Sequence, residues 1–156
     1  MAKEESKNEM IQEGIRNAVS SLFMMMIGSE PTFKGVKELA GFSLSGDVAG
    51  LMYLPAERSG IIACAVPETL ARTIVSRMTG LNEEELGSDD ISDGIAEAVN
   101  MIAGSFKTQH PELGITLTPP ISLVGTECCL SWKVDHPSIV LDYDIEGSTL
   151  TVAASL

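Results

Sequence analysis

Asp93, Glu97 and Asn100 place two carboxylates and a carboxamide at spacings of four and three residues, and Gly104 follows one turn later. On a helix that turns about 100° per residue these four positions fall within an arc of about 60°. Ile95, Val99, Ile102 and Phe106 take the opposite side. The spacing therefore predicts a helix with one stripe for a core and one polar stripe for a partner. Carboxylates pair with a cation, while a carboxamide both donates and accepts, so such a stripe could hold and orient another group. Asn is a poor exposed helix residue and Gly costs about 1 kcal/mol relative to Ala, so helix stability does not account for either. The plain alternative is a row of polar side chains that merely solvates the outer face of a helix.

Other chemistries find less support. Asp89, Asp90, Asp93 and Glu97 offer hard oxygens for a cation, but carboxylates in a first helical turn are already stabilised by the helix dipole, and no calcium-loop pattern surrounds them. No metal site is expected. Gly41-Phe-Ser43-Leu-Ser45 lacks the second glycine of a nucleophile elbow, and no Gly-Lys-Ser/Thr phosphate loop is present. His110 and His136 each adjoin a proline, where a histidine serves a helix end or a turn. Cys64, Cys128 and Cys129 are odd in number, lack CxxC spacing and lie in apolar runs, which suits buried thiols without a function.

The positioning elements follow from periodicity. Ile11, Ile15, Ala18, Val19, Leu22 and Met26 predict an amphipathic helix over about 8–27, stopped by Gly28. Strands are expected at 42–44, 48–54 and 61–66, with Ser45-Gly46-Asp47 and 57–60 as turns. Pro67 opens a middle helix over 67–80, and Ser88-Asp89-Asp90 caps the striped helix, which runs to about Gln109 before Pro111. Further strands are expected at 115–117, 121–124, 128–134, 139–145 and 150–153. The halves 8–66 and 88–156 look alike at an offset of about 80 residues, Leu44-Ser-Gly-Asp-Val48 against Leu123-Val-Gly-Thr-Glu127. One domain, 1–156, is expected: a two-layer α+β fold, two long helices packed on an antiparallel sheet, with internal pseudo-duplication.

With 156 residues and 44% hydrophobic content a real core is affordable, built from aliphatics and eight methionines because aromatics make up only 4%. The 22 acidic residues against 10 basic give a net charge of −12, which repels phosphate backbones and argues against nucleic acid. The amino terminus lacks an apolar secretion core and no run is long enough to cross a bilayer, so a cytoplasmic protein without membrane insertion is expected.

At Asp93, Glu97 and Asn100, continued by Met101-Ile-Ala-Gly104, the chain resembles the CheC, CheX and FliY family of chemotaxis phosphatases, whose hallmark is Asp or Ser, Glu four residues later and Asn three after that. The first helix offers only Glu13 and Asn17 at the wrong spacing, with Arg16 where Asn is expected, so a single active surface resembles CheX most. The family pattern often sets a proline after 22 intervening residues, whereas Leu123 stands there and Pro119 and Pro120 come earlier. The resemblance implies hydrolysis of the aspartyl phosphate on a CheY-like response regulator, which itself supplies the Mg²⁺, so no cofactor is bound by this chain. Asn100 would orient the water, Glu97 would reach the partner's active-site lysine, and Asp93 with Gly104 would serve docking. A homodimer is implied. The alternative is a non-catalytic receiver-binding or flagellar switch adaptor that uses the same helix only to dock.

Overall fold

Ile11, Ile15, Ala18, Val19 and Leu22 form the buried side of helix α1 (Ala2–Leu22), in a computed structural model that describes every residue except Arg58. The helix begins earlier than its apolar periodicity suggests, because the charged first turns lie outside the core and Lys7 Nζ donates to the Leu156 carbonyl. It ends in a π-helical turn, Phe23–Ile27, closed by Gly28 at φ 74°.

Besides two 3₁₀ turns, Glu83–Glu85 and Pro111–Leu113, the remaining elements are β1 (Thr32–Leu39), β2 (Phe42–Leu54), β3 (Gly60–Val66), α2 (Glu68–Thr79), α3 (Ser88–Gln109), β4 (Ile121–Trp132), β5 (Ser138–Ile145) and β6 (Ser148–Ser155). The strands form one antiparallel sheet in the order β1-β5-β6-β3-β2-β4. The three helices pack on one face, over Val48, Met52, Ile62, Cys64, Leu141 and Val152. This is the expected α+β arrangement, with α2 joining the two long helices in their layer. The strand order reads the same from either edge when β1 is exchanged with β4, β2 with β5 and β3 with β6.

Several expected boundaries are corrected. Ser45-Gly46-Asp47 is a bulge inside β2, and Gly125 lies within a matching irregularity of β4, where Glu127 takes φ 52°. Asp47 stabilises the bulge: Glu68 N donates to Oδ2 and Glu127 N to Oδ1, both at 3.0 Å. Those bonds, the one from Glu127 first, hold the Asp47 carboxyl below its usual pKa. Beyond the bulge the β2–β4 ribbon bends across the outer face of the sheet, since Gly46 lies against Ala65 although Ala65 pairs with Ala49. Phe42 and Leu44 thereby bury a second, smaller core with Ile61, Ala63, Val140 and Ala153.

Strand β1 was not expected, because its alternation is diluted by Lys34, Lys37 and Glu38; pairing with β5 along one edge, not its own pattern, forms it. Residues 115–117 are not a strand. Thr116 N donates to the Pro55 carbonyl and Thr118 Oγ1 to the Tyr53 carbonyl, which pins the segment while Pro119 and Pro120 supply no ladder donors. The turn expected at 57–60 includes Arg58, which lies outside the described residues. Among the described residues no helix is long and apolar enough to cross a membrane.

Candidate functional site

Helix α3 buries Ile91, Gly94, Ile95, Ala98, Val99, Ile102, Ala103 and Phe106, so the stripe on its other side is turned out of the fold. The cap is Gly87, not Ser88: the Asp90 carboxylate accepts from Gly87 N at 2.8 Å. Asp89 and Asp90 stand in the first turn, where the helix dipole stabilises them. Close contacts with its neighbours hold the rod in place. Gly94 takes in the Val75 side chain of α2, and Gly14 of α1 takes in the Phe106 and His110 rings. At the edge of the sheet, Ser92 Oγ and Ser122 Oγ lie 2.5 Å apart and tie α3 to β4.

Asp93 and Glu97 are exposed, and Asn100 and Gly104 are half-buried. Asn100 Nδ2 donates to Glu97 Oε2 at 3.5 Å, the outer limit of a hydrogen bond. This contact aligns the two side chains without occupying them. The Asn100 amide makes no other hydrogen bond among the described residues, so its oxygen and second N–H remain available to a visitor. The four residues expected to work together therefore do share one outward face.

Gly104 differs from the other helical glycines of this pair. A Cβ at Gly14 or Gly94 would meet side-chain atoms at 2.7 and 2.4 Å, whereas one at Gly104 would meet only Leu117 Cδ1, at an ordinary 3.9 Å. The chain's own packing does not require glycine at 104. Its missing side chain leaves a notch beside Asn100, with Leu117 as an apolar wall. Sequence reasoning missed Leu117 because it assigned 115–117 to a strand.

The stripe is a row of projecting side chains, not a cleft. Large clefts lie elsewhere: one of about 680 Å³ runs along α1, lined by Glu13, Arg16, Asn17, Ser20, Phe33 and Tyr143. A small molecule wants a concavity, but a convex row suits a macromolecule that brings a pocket of its own. Of the three cysteines, only Cys64 is buried, and burial pushes its thiol up to about 12. Cys129 is exposed, because β4 is an edge strand and its outward residues lack a covering layer.

A family model described as "Chemotaxis phosphatase CheX" matches residues 48–144, a span that contains all of α3. No curated protein matches the sequence. Among solved structures, a chemotaxis protein CheX from Desulfovibrio desulfuricans is 21% identical, over 94% of this chain and 98% of that one, with a TM-score of 0.83. A CheX from Borrelia burgdorferi, solved as a CheX–CheY–BeF3–Mg²⁺ complex, is 20% identical over 92% and 95%, with a TM-score of 0.73. FliY of Thermotoga maritima is 19% identical over 90% and 83%, with a TM-score of 0.59. At these identities the likeness to solved structures is one of fold.

Proposed function

Because the chain belongs to the CheX family of chemotaxis phosphatases, we propose that it hydrolyses the aspartyl phosphate of a CheY-type receiver, with Asn100 orienting the attacking water. The observation that carries this reading is the Asn100 carboxamide standing beside Glu97 on an outward helix face, aligned but uncommitted. An acyl phosphate is already an activated bond. The water oxygen bonds to phosphorus, the bond from phosphorus to the receiver carboxylate breaks, and inorganic phosphate leaves. What the reaction needs from this chain is position, and a neutral amide can accept from water and donate toward a phosphoryl oxygen without adding negative charge.

Glu97 supplies a charge-assisted contact to the receiver's active-site lysine, which fixes the amide in register. Asp93 and the Gly104 notch complete the docking face. In this reading the Mg²⁺ is the receiver's own; the Borrelia relative was solved in a CheX–CheY–BeF3–Mg²⁺ complex. The test is phosphate release from a CheY-type receiver charged with acetyl phosphate. Asn100→Ala should lose at least ~10²-fold of the acceleration, and an unchanged rate would overturn the assignment.

We also propose a homodimer through β4. Among the described residues this edge strand has no strand partner on its outer side, and it exposes Ile121, Leu123 and Trp132, which is the kind of edge that a second copy can cover. Sedimentation at micromolar concentration should give twice 16.6 kDa, and a monomer alone would remove the dimer.

A further inference from the structure

Lys107 is the one basic side chain on α3, and it stands on the same side as the stripe. Seven residues beyond Asn100, it lies about 20° off in rotation and about 10 Å along the axis. It is exposed and makes no ion pair or side-chain hydrogen bond among the described residues. Between Asn100 and Lys107 the stripe position is Gly104, so α3 itself puts no side chain between them, and Leu117 borders the gap. The outward face thus changes sign along its length: Asp89, Asp90, Asp93 and Glu97, then a neutral amide and a notch, then a single cation. The helix dipole favours a basic residue in a last turn, yet α1 ends without one.

Resting on the phosphatase reading, we infer that Lys107 is a docking residue for the phosphorylated receiver. Its ammonium pairs with a carboxylate on the rim of the phosphorylation pocket, about 10 Å from the phosphoryl group along α3. A chain of net charge −12 that leads with carboxylates repels a negatively charged phosphoryl site. Lys107 is the one cation that α3 sets against that repulsion. With Glu97 seeking a cation and Lys107 an anion, the receiver can lie along α3 in one direction and is opposed in the other.

The experiment is steady-state phosphate release from a CheY-type receiver domain held phosphorylated by acetyl phosphate and Mg²⁺, at low and high ionic strength. Lys107→Glu should raise KM about 10-fold at low salt and leave kcat within about twofold, and the difference should shrink at about 0.5 M NaCl. Lys107→Arg should restore KM. An unchanged KM in Lys107→Glu, a loss confined to kcat, or a defect indifferent to salt would each overturn the inference. If the wild-type chain itself fails to accelerate phosphate loss, the phosphatase reading falls instead; if wild type works and Lys107→Glu matches it, the Lys107 assignment alone falls.

Discussion

Gly14 of α1 admits the Phe106 and His110 rings, and Gly94 of α3 admits Val75. Around these glycines the two helices bury the same register: Ile11, Ile15, Ala18, Val19 and Leu22 in one, and Ile91, Ile95, Ala98, Val99 and Ile102 in the other, each 80 positions on. Outward the helices part. Under this register Asp93, Glu97, Asn100 and Gly104 correspond to Glu13, Asn17, Ser20 and Met24, so the counterpart of Asn100 is Ser20 and not Arg16. Two side chains on or beside that face of α1 are engaged with this chain: Asn17 Nδ2 donates to Gln109 Oε1, and the Arg16 guanidinium lies 4.1 Å over the Phe33 ring. In α3 the same positions make no contact that the fold needs. A core-facing half can therefore be common to two helices while the outward half alone separates a scaffold from a site.

The sharpest way to break that comparison is to exchange the outward residues. Against the ~10²-fold loss for Asn100→Ala, Ser20→Ala should leave phosphate release within about twofold. In the Asn100→Ala background, Asn17→Glu with Ser20→Asn should recover nothing, because Arg16 and Gln109 hold that face; recovery would show that the residues suffice wherever they stand. Next come the glycines. Gly14→Ala and Gly94→Ala should each destabilise by about 1–3 kcal/mol in urea unfolding, since a Cβ must displace packed side chains. Gly104→Ala should instead stabilise by about 1 kcal/mol while slowing receiver dephosphorylation.

The two halves of the sheet also differ at Asp47, whose carboxyl is held below its ordinary pKa. A depressed carboxylate contributes stability above its unfolded pKa of about 4 and loses it as pH falls through the folded value. The acid limb of a stability–pH curve should therefore be shallower for Asp47→Asn than for wild type. The smallest effect separates the strands by thiol: Cys129 on edge strand β4 should react with a thiol reagent at pH 8, while Cys64 on central strand β3 should react only after unfolding, its pKa being raised to about 12 by burial.

Much of α3 was readable in advance. Its apolar spacing names the buried face, and the placement of two carboxylates, an amide and a glycine off that face names the outward one. β3 was readable for the same reason, since Ile61 to Val66 is apolar throughout and is buried on both sides. β1 was not, because its residues are half polar and only β5 beside it supplies the pairing. The bulge in β2 is not legible locally, since Ser-Gly-Asp is turn chemistry by any local rule. What keeps the strand continuous is a carboxylate that accepts from two backbone amides distant in sequence, those of Glu68 and Glu127.

By itself the amino-acid sequence determined which residues could share a side, because a period of 3.6 or 2 is a property of the chain alone. It also set the candidate chemistry, since residue type at fixed spacing decides what a face can donate, accept or repel. The tertiary structure decided how each outward face is used: Asn17 of α1 bonds Gln109 and Arg16 lies over Phe33, whereas the Asn100 amide bonds only Glu97 among the described residues. It decided, too, that Gly104 is a notch and Gly14 a packing requirement. That distinction depends on neighbours brought together through space, and no local spacing contains it.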